Sequence, residues 1–366
     1  MSEPPRRNKR KKRKLPAWTH GAVYAGVRAG AAAINIAGVG PSTRGLASFG
    51  GAFASMPFNR KRLERAKENL SWCFPEWDAA RVHRYSIEAY RHLFSLGAEV
   101  ALAPRLLTED GYAAHIELGE LEGALKPLLE GEPTLLLTGH CGNWEMLGYT
   151  VALLGFPVHA LYRPMDMKPV DTWVRETRGR RGMVLVDKFG AARVLPALME
   201  RGVPLGFIAD QNGGDKGLFV PFFDRLASSY KTIGLMAIQF GARIVCSQAR
   251  RLGGLPGDGV PASFRYRIDV VDSFGPDSWE GEPDPVFYIT ARYRRALEEM
   301  VRRAPEQYLW MHRYWKSRPG HERKGRPFPD KLREKIEALP WMTGDRVERI
   351  VARSAVDAAL LAERAR

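Results

Sequence analysis

The sequence predicts an α/β protein: a mixed central sheet flanked by helices, with a helical segment suited to a membrane surface towards its N-terminus. Three observations carry that reading. Five short apolar runs, PTLLLTGH (133–140), VHALYRP (158–164), MVLVDK (183–188), VPLGFIAD (203–210) and ARIVCSQ (242–248), alternate with stretches of helical periodicity. The runs are continuously apolar, as strands buried on both faces of a layered sheet must be. Residues 15–58 are rich in Ala, Gly and other apolar side chains and follow directly on a basic arm.

Taken in order, MSEPPRRNKRKKRK (1–14) holds eight Lys/Arg and one Glu. It has almost nothing apolar to bury and is expected to be a disordered arm. Each cation near an anionic leaflet contributes about 1 kcal/mol, so an arm beside the apolar segment 15–58 reads as a membrane contact. Arg28, Gly38, Gly40, Pro41 and Arg44 interrupt that segment, whereas a spanning helix needs roughly 20 apolar residues. A helix lying in or on the interface is therefore expected. A single tilted span and an Ala-rich helix packed on the body are the alternatives. A cleaved signal peptide fits poorly, because the apolar part starts late and the Ala52–Ala54 pair lies too far in.

After Pro57 the period becomes helical through NRKRLERAKENLSWCFPEW and DAARVHRYSIEAYRHLFSLGAEVAL, with Asp78 at a helix start. Between the five apolar runs, helices are expected over 143–155, 169–180, 190–201 and 229–241. The partly alternating SFRYRIDVVDSF (263–274) is expected as an edge strand. A long helix over 284–303 follows, then the aromatic-basic YLWMHRYWKSRPG, then two helices beyond Pro327, the last starting near Asp345. The organisation read from this is an arm (1–14), a membrane-associated segment (15–58), one α/β domain (59–326) and a helical tail (327–366).

Across 366 residues, 56 Lys+Arg against 41 Asp+Glu give a net charge of +15, a surplus that favours anionic partners. Three cysteines, Cys73, Cys141 and Cys246, form no CxxC and point to a reducing compartment rather than a disulfide or zinc framework. No metal or cofactor is expected.

The chemistry gathers in GHCGNWE (139–145), where an apolar strand stops at Gly139 and a His follows. Strand ends in open α/β sheets line the ligand crevice. With Asn143 as N-cap, Glu145 falls in the first helical turn. A strand–turn–helix would then let Glu145 accept from one ring nitrogen of His140 and raise the basicity of the other. Equally, His140 could only cap the strand and Glu145 only complement the helix dipole. Cys141, next to the His in sequence, is awkwardly placed for a dyad and reads as structural.

The stretch GHCGNWEMLGY resembles the GHxGNWE block of the bacterial lipid A late acyltransferases. NRKRLERAKENLSWCFPEW is similar to that family's entry block, LYRP (161–164) to its YRP segment, FIADQNGGDKGLFVPFFDRLASS to its ADQ…VPFF block, and PEQYLWMHRYWKSRP to its closing block. The blocks fall in family order over roughly residues 59–319. The resemblance implies a glycerolipid-acyltransferase-like sheet and acyl transfer from an acyl carrier protein thioester to a glycolipid hydroxyl. The family's H-x4-D/E dyad maps onto His140 and Glu145, with His140 as general base, and needs no covalent intermediate, in keeping with the absence of GxSxG. It also implies the inner membrane, with the site facing the cytoplasm, and no nucleic-acid partner.

Arg163, after ALYRP, is the candidate for meeting an anionic group or the oxyanion, and Asp210 for orienting Arg163 or the acceptor. Asn143 and Gln211 complete the expected substrate contacts. His312, Arg313 and Lys316, interleaved with Trp310, Tyr314 and Trp315, suit a phosphate at an interface; a packed terminal segment explains the aromatics as well. Two departures stand out: Asp224 replaces the family's Gly after VPFF, and SSYKTIG replaces a Thr/Pro-rich turn, which puts the acceptor pocket in question. The competing functions are an acyl-CoA-dependent transferase acting on another polar lipid, and a non-catalytic binder of membrane or RNA.

Overall fold

The computed structural model describes residues 17–180, 182–253 and 264–365; the basic arm lies outside them. The chain runs α1 (Ala17–Ala37), α2 (Val39–Ala54), α3 (Arg60–Cys73), α4 (Ala79–Leu106), β1 (Ile116–Leu118), α5 (Glu122–Glu130) and β2 (Thr134–Thr138). It continues through α6 (Trp144–Leu153), β3 (His159–Tyr162), α7 (Lys168–Gly179), β4 (Val184–Asp187), α8 (Ala191–Glu200) and β5 (Leu205–Ile208). Next come β6 (Leu218–Phe222), β7 (Arg225–Ser229), α9 (Lys231–Phe240), β8 (Arg243–Arg251) and β9 (Tyr266–Phe274). The last helices are α10 (Pro285–Arg303), α11 (Gly320–Arg323), α12 (Asp330–Glu337) and α13 (Gly344–Ala365).

All five apolar runs are strands of one sheet, ordered β1-β9-β8-β2-β5-β3-β4. β2 is parallel to both β8 and β5, and β3 to both β5 and β4, while β8 and β9 are antiparallel. The result is a mixed, mostly parallel α/β sheet with flanking helices. Leu135, Leu137, Leu205, Ile244 and Cys246 are buried on its central strands. Full burial of one such side chain contributes about 1.5–3 kcal/mol. The expected edge strand is not at the edge: the three-residue β1 pairs with β9 from outside. Its shortness hides it from any periodicity.

The β6–β7 hairpin was also not expected, because Pro221 stands inside β6. A proline removes a ladder donor, which a two-stranded ribbon with a free edge tolerates. The turn between its strands puts Phe223 and Asp224 at φ of 53° and 52°, in the left-handed region that glycine favours and Asp tolerates. Asp224 repays that conformation by pairing with Arg346 (2.6 Å) and Arg349 (2.9 Å) of α13. Its departure from the family's glycine therefore concerns the C-terminal helix. That tail shares the main core, contributing Ile336, Leu339, Val347 and Ile350.

Caps fall where the residue types place them. Asp78 accepts from Arg81 N (2.7 Å) at the start of α4, and Asp284 from Phe287 N (3.0 Å) at the start of α10.

The Ala/Gly-rich segment forms two helices. α2 lies against α4 through small residues: a side chain at Gly50 would come within 2.7 Å of the Tyr90 carbonyl. This half is the helix packed on the body. α1 touches α2, α4 and α7 but leaves most of its length open. Ile36 is 87% exposed, and Phe49 and Phe58 stand out beyond it. No helix among the described residues is long and apolar enough to cross a membrane, which removes the tilted span for α1 and α2.

Candidate active site

β2 and β5 are neighbours in parallel register, with Thr138 paired to Ile208. Two residues past each partner stand His140 and Asp210. Their proximity follows from the register of two runs that end level, and the bond from Ala209 N to the Thr138 carbonyl (2.8 Å) extends that register one step further. Asp210 is fully buried and accepts twice from His140: from its backbone N–H at 2.9 Å and from Nδ1 at 2.8 Å.

The carboxylate that steadies the imidazole is thus Asp210, not Glu145. Glu145 lies in the first turn of α6, as expected, but its carboxylate forms a two-pronged ion pair with Arg178 of α7, one arm at 2.8 Å from Nε. It reaches His140 only through its field. Burial pulls the imidazole down; the Asp210 charge and hydrogen bond, with a lesser push from Glu145, outweigh burial and raise its pKa above the usual value. Asp210 is pushed up by burial, yet His140, and behind it Arg294, hold it below the usual carboxylate value. With Nδ1 donating to Asp210, the other nitrogen, Nε2, carries the lone pair. It sits 3.5 Å from the Gln211 amide nitrogen.

The turn between β2 and α6 is built tightly. Gly142 has φ of 69°, and a Cβ there would come within 2.1 Å of the Ala249 carbonyl. Gly142 N–H donates to Gln307 O (3.0 Å), Leu309 N–H to His140 O (3.1 Å) and Asn143 N–H to Ala249 O (2.8 Å). The closing motif, PEQYLWMHRY, therefore brackets the turn. Tyr308, Trp310 and Tyr314 are fully buried in the main core beneath it.

Asn143 caps α6 by accepting from Met146 N (3.0 Å), and its amide donates to Glu99 Oε2 (2.9 Å). It is fully buried with both ends engaged, so it serves the turn and not a substrate. Glu99 in turn binds Arg251 and the Tyr266 hydroxyl, and His92 Nε2 lies 3.0 Å from Gly142 O. Cys141 is buried, with its thiol pKa pushed well up by desolvation, and makes a poor nucleophile. Its Sγ contacts Met300 O and Gln248.

His140 lines a cavity of about 760 Å³ whose walls are mostly apolar, including Leu147, Val151, Val158, Leu185, Leu195 and Met236. Arg163, Lys188 and Gln211 also line it, as does Tyr230 of the unusual SSYKTIG stretch. Arg163 is exposed, and both Asp210 carboxylate oxygens are engaged by His140 rather than by Arg163. His312 stacks near the His140 ring, centroids 6.4 Å apart. Arg313 and Lys316 face elsewhere, into a separate depression beside α3. Arg294 escaped sequence reasoning: it is fully buried and donates to Asp210 O (2.8 Å) from α10.

A buried carboxylate paired with an imidazole that lines an apolar cavity suits proton abstraction beside a long hydrocarbon chain. Comparison with known proteins agrees in kind: the family model described as "Bacterial lipid A biosynthesis acyltransferase" matches residues 9–317. The chain belongs to the bacterial lipid A biosynthesis acyltransferase family.

Relatives are distant. The lipid A biosynthesis palmitoleoyltransferase of Escherichia coli (strain K12) is 26% identical over 269 residues, covering 72% of this chain and 81% of the relative. The lauroyltransferase of the same organism is 23% identical over 268 residues, covering 72% and 82%. A lipid A biosynthesis acyltransferase of Haemophilus influenzae is 21% identical over 257 residues, covering 69% and 75%. Membership of the lipid A acyltransferase family excludes the non-catalytic binder as the principal reading, and places a lipid A precursor first among acceptors.

Proposed function

We propose that this acyltransferase moves a fatty acyl chain from an acyl carrier protein thioester to a hydroxyl of a lipid A precursor, with His140 as general base and Asp210 as the carboxylate that orients it. The observation that carries this reading is the 2.8 Å contact between His140 Nδ1 and buried Asp210, with the ring lining an apolar cavity. His140 Nε2 takes the proton of the acceptor hydroxyl as its oxygen bonds to the thioester carbonyl carbon. The tetrahedral oxyanion collapses, the C–S bond breaks, and the imidazolium returns the proton to the departing thiolate. An ester and a free thiol result, and the enzyme is unchanged. Asp210 stabilises the transient imidazolium, as a carboxylate partner does in other base-assisted acyl transfers. Gln211, 3.5 Å from His140 Nε2, and Arg163, which also lines the cavity, are candidate donors for the oxyanion. Glu145 and Arg178 brace α6 against α7, and Glu145 adds a lesser push to the basicity of the ring.

The +15 charge suits an acidic carrier protein and an anionic bilayer. The open face of α1, with Ile36, Phe49 and Phe58 exposed, suits attachment to the cytoplasmic face of the inner membrane. The test incubates the full chain with a lipid A precursor and labelled acyl donors, as carrier-protein and as coenzyme A thioesters, and identifies the product by mass. Wild type should form an O-acylated product from the carrier thioester and His140→Ala should not. Preference for the coenzyme A thioester would replace the donor, and product formation by His140→Ala would remove the base.

A further inference from the structure

A second depression, of about 700 Å³, lies between α3, residues 313–318 and α13. It is a built feature. Asn69 of α3 donates to the carbonyls of Trp310 (2.8 Å) and His312 (3.1 Å), and Arg65 to that of Met311 (3.1 Å). These bonds hold two basic stretches face to face. Arg60, Lys61 and Arg65 come from one side, Arg313 and Lys316 from the other.

The charges do not balance. Arg225 and Arg318, also in the wall, are tied to Asp357. The wall's Glu64 pairs with Lys67 (3.1 Å) and its Glu68 lies 3.9 Å from Arg364. Among the described residues Arg60, Lys61, Arg313 and Lys316 have no carboxylate partner. Arg60 and Lys61 also open α3, whose first turn carries no acid, so they face the positive end of the helix dipole. Half-buried Arg65 has its pKa lowered by burial and then by Arg313 and Arg62. Such a cluster is stabilised by an anion from outside.

Its place matters as much as its charge. Arg313 follows His312, whose ring stacks near His140. The cationic cleft thus begins one residue along the chain from a ring that stacks near His140, and His140 itself lines the apolar cavity. An amphipathic acceptor has the same polarity.

We propose that this cleft seats a phosphate group carried by the headgroup of the acceptor lipid and so brings the acceptor hydroxyl to His140. The inference rests on the acyl-transfer reading above. Phosphate fits because it offers several oxygens and up to two charges to converging Arg and Lys side chains. A concave site with half-buried Arg65 between exposed cations suits a small anionic group better than the convex face of an acidic protein.

The test compares wild-type full chain with an Arg313→Gln/Lys316→Gln variant, whose changed side chains are exposed, and with Arg65→Gln. Binding of dihexanoyl phosphatidic acid and of neutral dihexanoylglycerol is measured by calorimetry, with no turnover required. In parallel, KM and kcat are measured with phosphorylated and phosphatase-treated acceptor. The expected result is tighter binding of the phosphatidic acid by wild type, weakened about tenfold or more in the variants. KM for the phosphorylated acceptor should rise similarly while KM for the thioester donor stays put, and the variants should not distinguish themselves on dephosphorylated acceptor. Equal binding of the charged and neutral lipids by wild type overturns the cleft even if acyl transfer is confirmed. A rise in donor KM instead of acceptor KM assigns the cleft to the acidic donor protein and also overturns it. A chain that binds phosphatidic acid as expected yet transfers no acyl group would leave the cleft standing and remove the acyl-transfer reading.

Discussion

Asp210→Asn separates an orienting carboxylate from a merely nearby one. Asp210 accepts two hydrogen bonds from the same residue, from His140 N–H at 2.9 Å and from Nδ1 at 2.8 Å. An asparagine has one acceptor oxygen to offer. If that oxygen keeps the backbone N–H, the amide NH2 points at Nδ1 and drives the ring proton onto Nε2, where the base must be bare. If it keeps Nδ1–H, an NH2 meets the backbone N–H and the turn must shift. The first arrangement removes the base and the second displaces it with the turn, and general-base catalysis contributes about 10²–10⁴-fold, equivalent to roughly 3–5.5 kcal/mol of barrier. The expected result is a fall in kcat of that order with KM values little changed. The pH profile carries an independent signature. His140 is needed neutral, and its pKa is raised above 6.5 because Asp210 and Glu145 outweigh burial. Wild-type kcat/KM should therefore fall as pH drops through a value above 6.5. Without the Asp210 charge, burial dominates and the acidic limb should move down. Arg294 also loses a neighbouring charge, so rates are compared at a temperature where circular dichroism shows both proteins folded. A variant keeping more than about a tenth of wild-type kcat, or one whose limb does not move, refutes the assignment of Asp210.

Other substitutions probe the supports. Glu145→Gln and Arg178→Gln should lower activity by similar factors, and the double variant should be no worse than either, because the two side chains act as one ion pair; additive losses would show separate roles. Gly142→Ala should be poorly tolerated, since its Cβ would meet the Ala249 carbonyl at 2.1 Å, and a melting temperature within a degree of wild type would contradict the tight turn. Gly148→Leu would push into the Met183 side chain at the cavity wall, so the ratio of rates with long to short acyl donors should fall about tenfold or more as several buried methylenes lose room. His92 is buried, and desolvation with Arg251, against a bond to Gly142 O, lowers its pKa to about 3. As pH falls below its unfolded value of about 6.5, the unfolded chain takes up a proton the folded one refuses, costing about 1.4 kcal/mol per pH unit until about pH 3. His92→Gln should flatten that part of the stability profile in urea titrations.

The strand ends that form the candidate site were legible in the sequence, whereas the carboxylate that bonds His140 was misassigned, and the cause is physical. His140 and Asp210 each end a continuous apolar run, and runs of that kind are parallel strands whose ends line a crevice. Which strands are neighbours, and in what register, is decided by the order of the sheet. No local spacing shows that Thr138 pairs with Ile208 and so sets residue 140 beside residue 210. Glu145 drew attention because it is close in sequence. The turn that sets it five residues after His140 instead directs it towards α7, where Arg178 takes both oxygens.

The same limit hid the buried layer under the turn. Glu99 sits in a 28-residue helix, and Arg251 ends a strand next to Arg250, both places where charges usually face water. Yet the pair is wholly buried, and Glu99 also binds Asn143, the cap of α6. Removing one partner of such a pair costs about 3–5 kcal/mol through the charge left behind, more than any surface ion pair repays. That cost can persist only where the geometry it fixes is worth having. Here it fixes Asn143, the cap of α6, two residues from Cys141 and three from His140. The deep ion pair therefore holds the backbone beside His140 still, and Gln307 and the aromatic segment 308–314 brace the same turn through their bonds to Gly142 and His140.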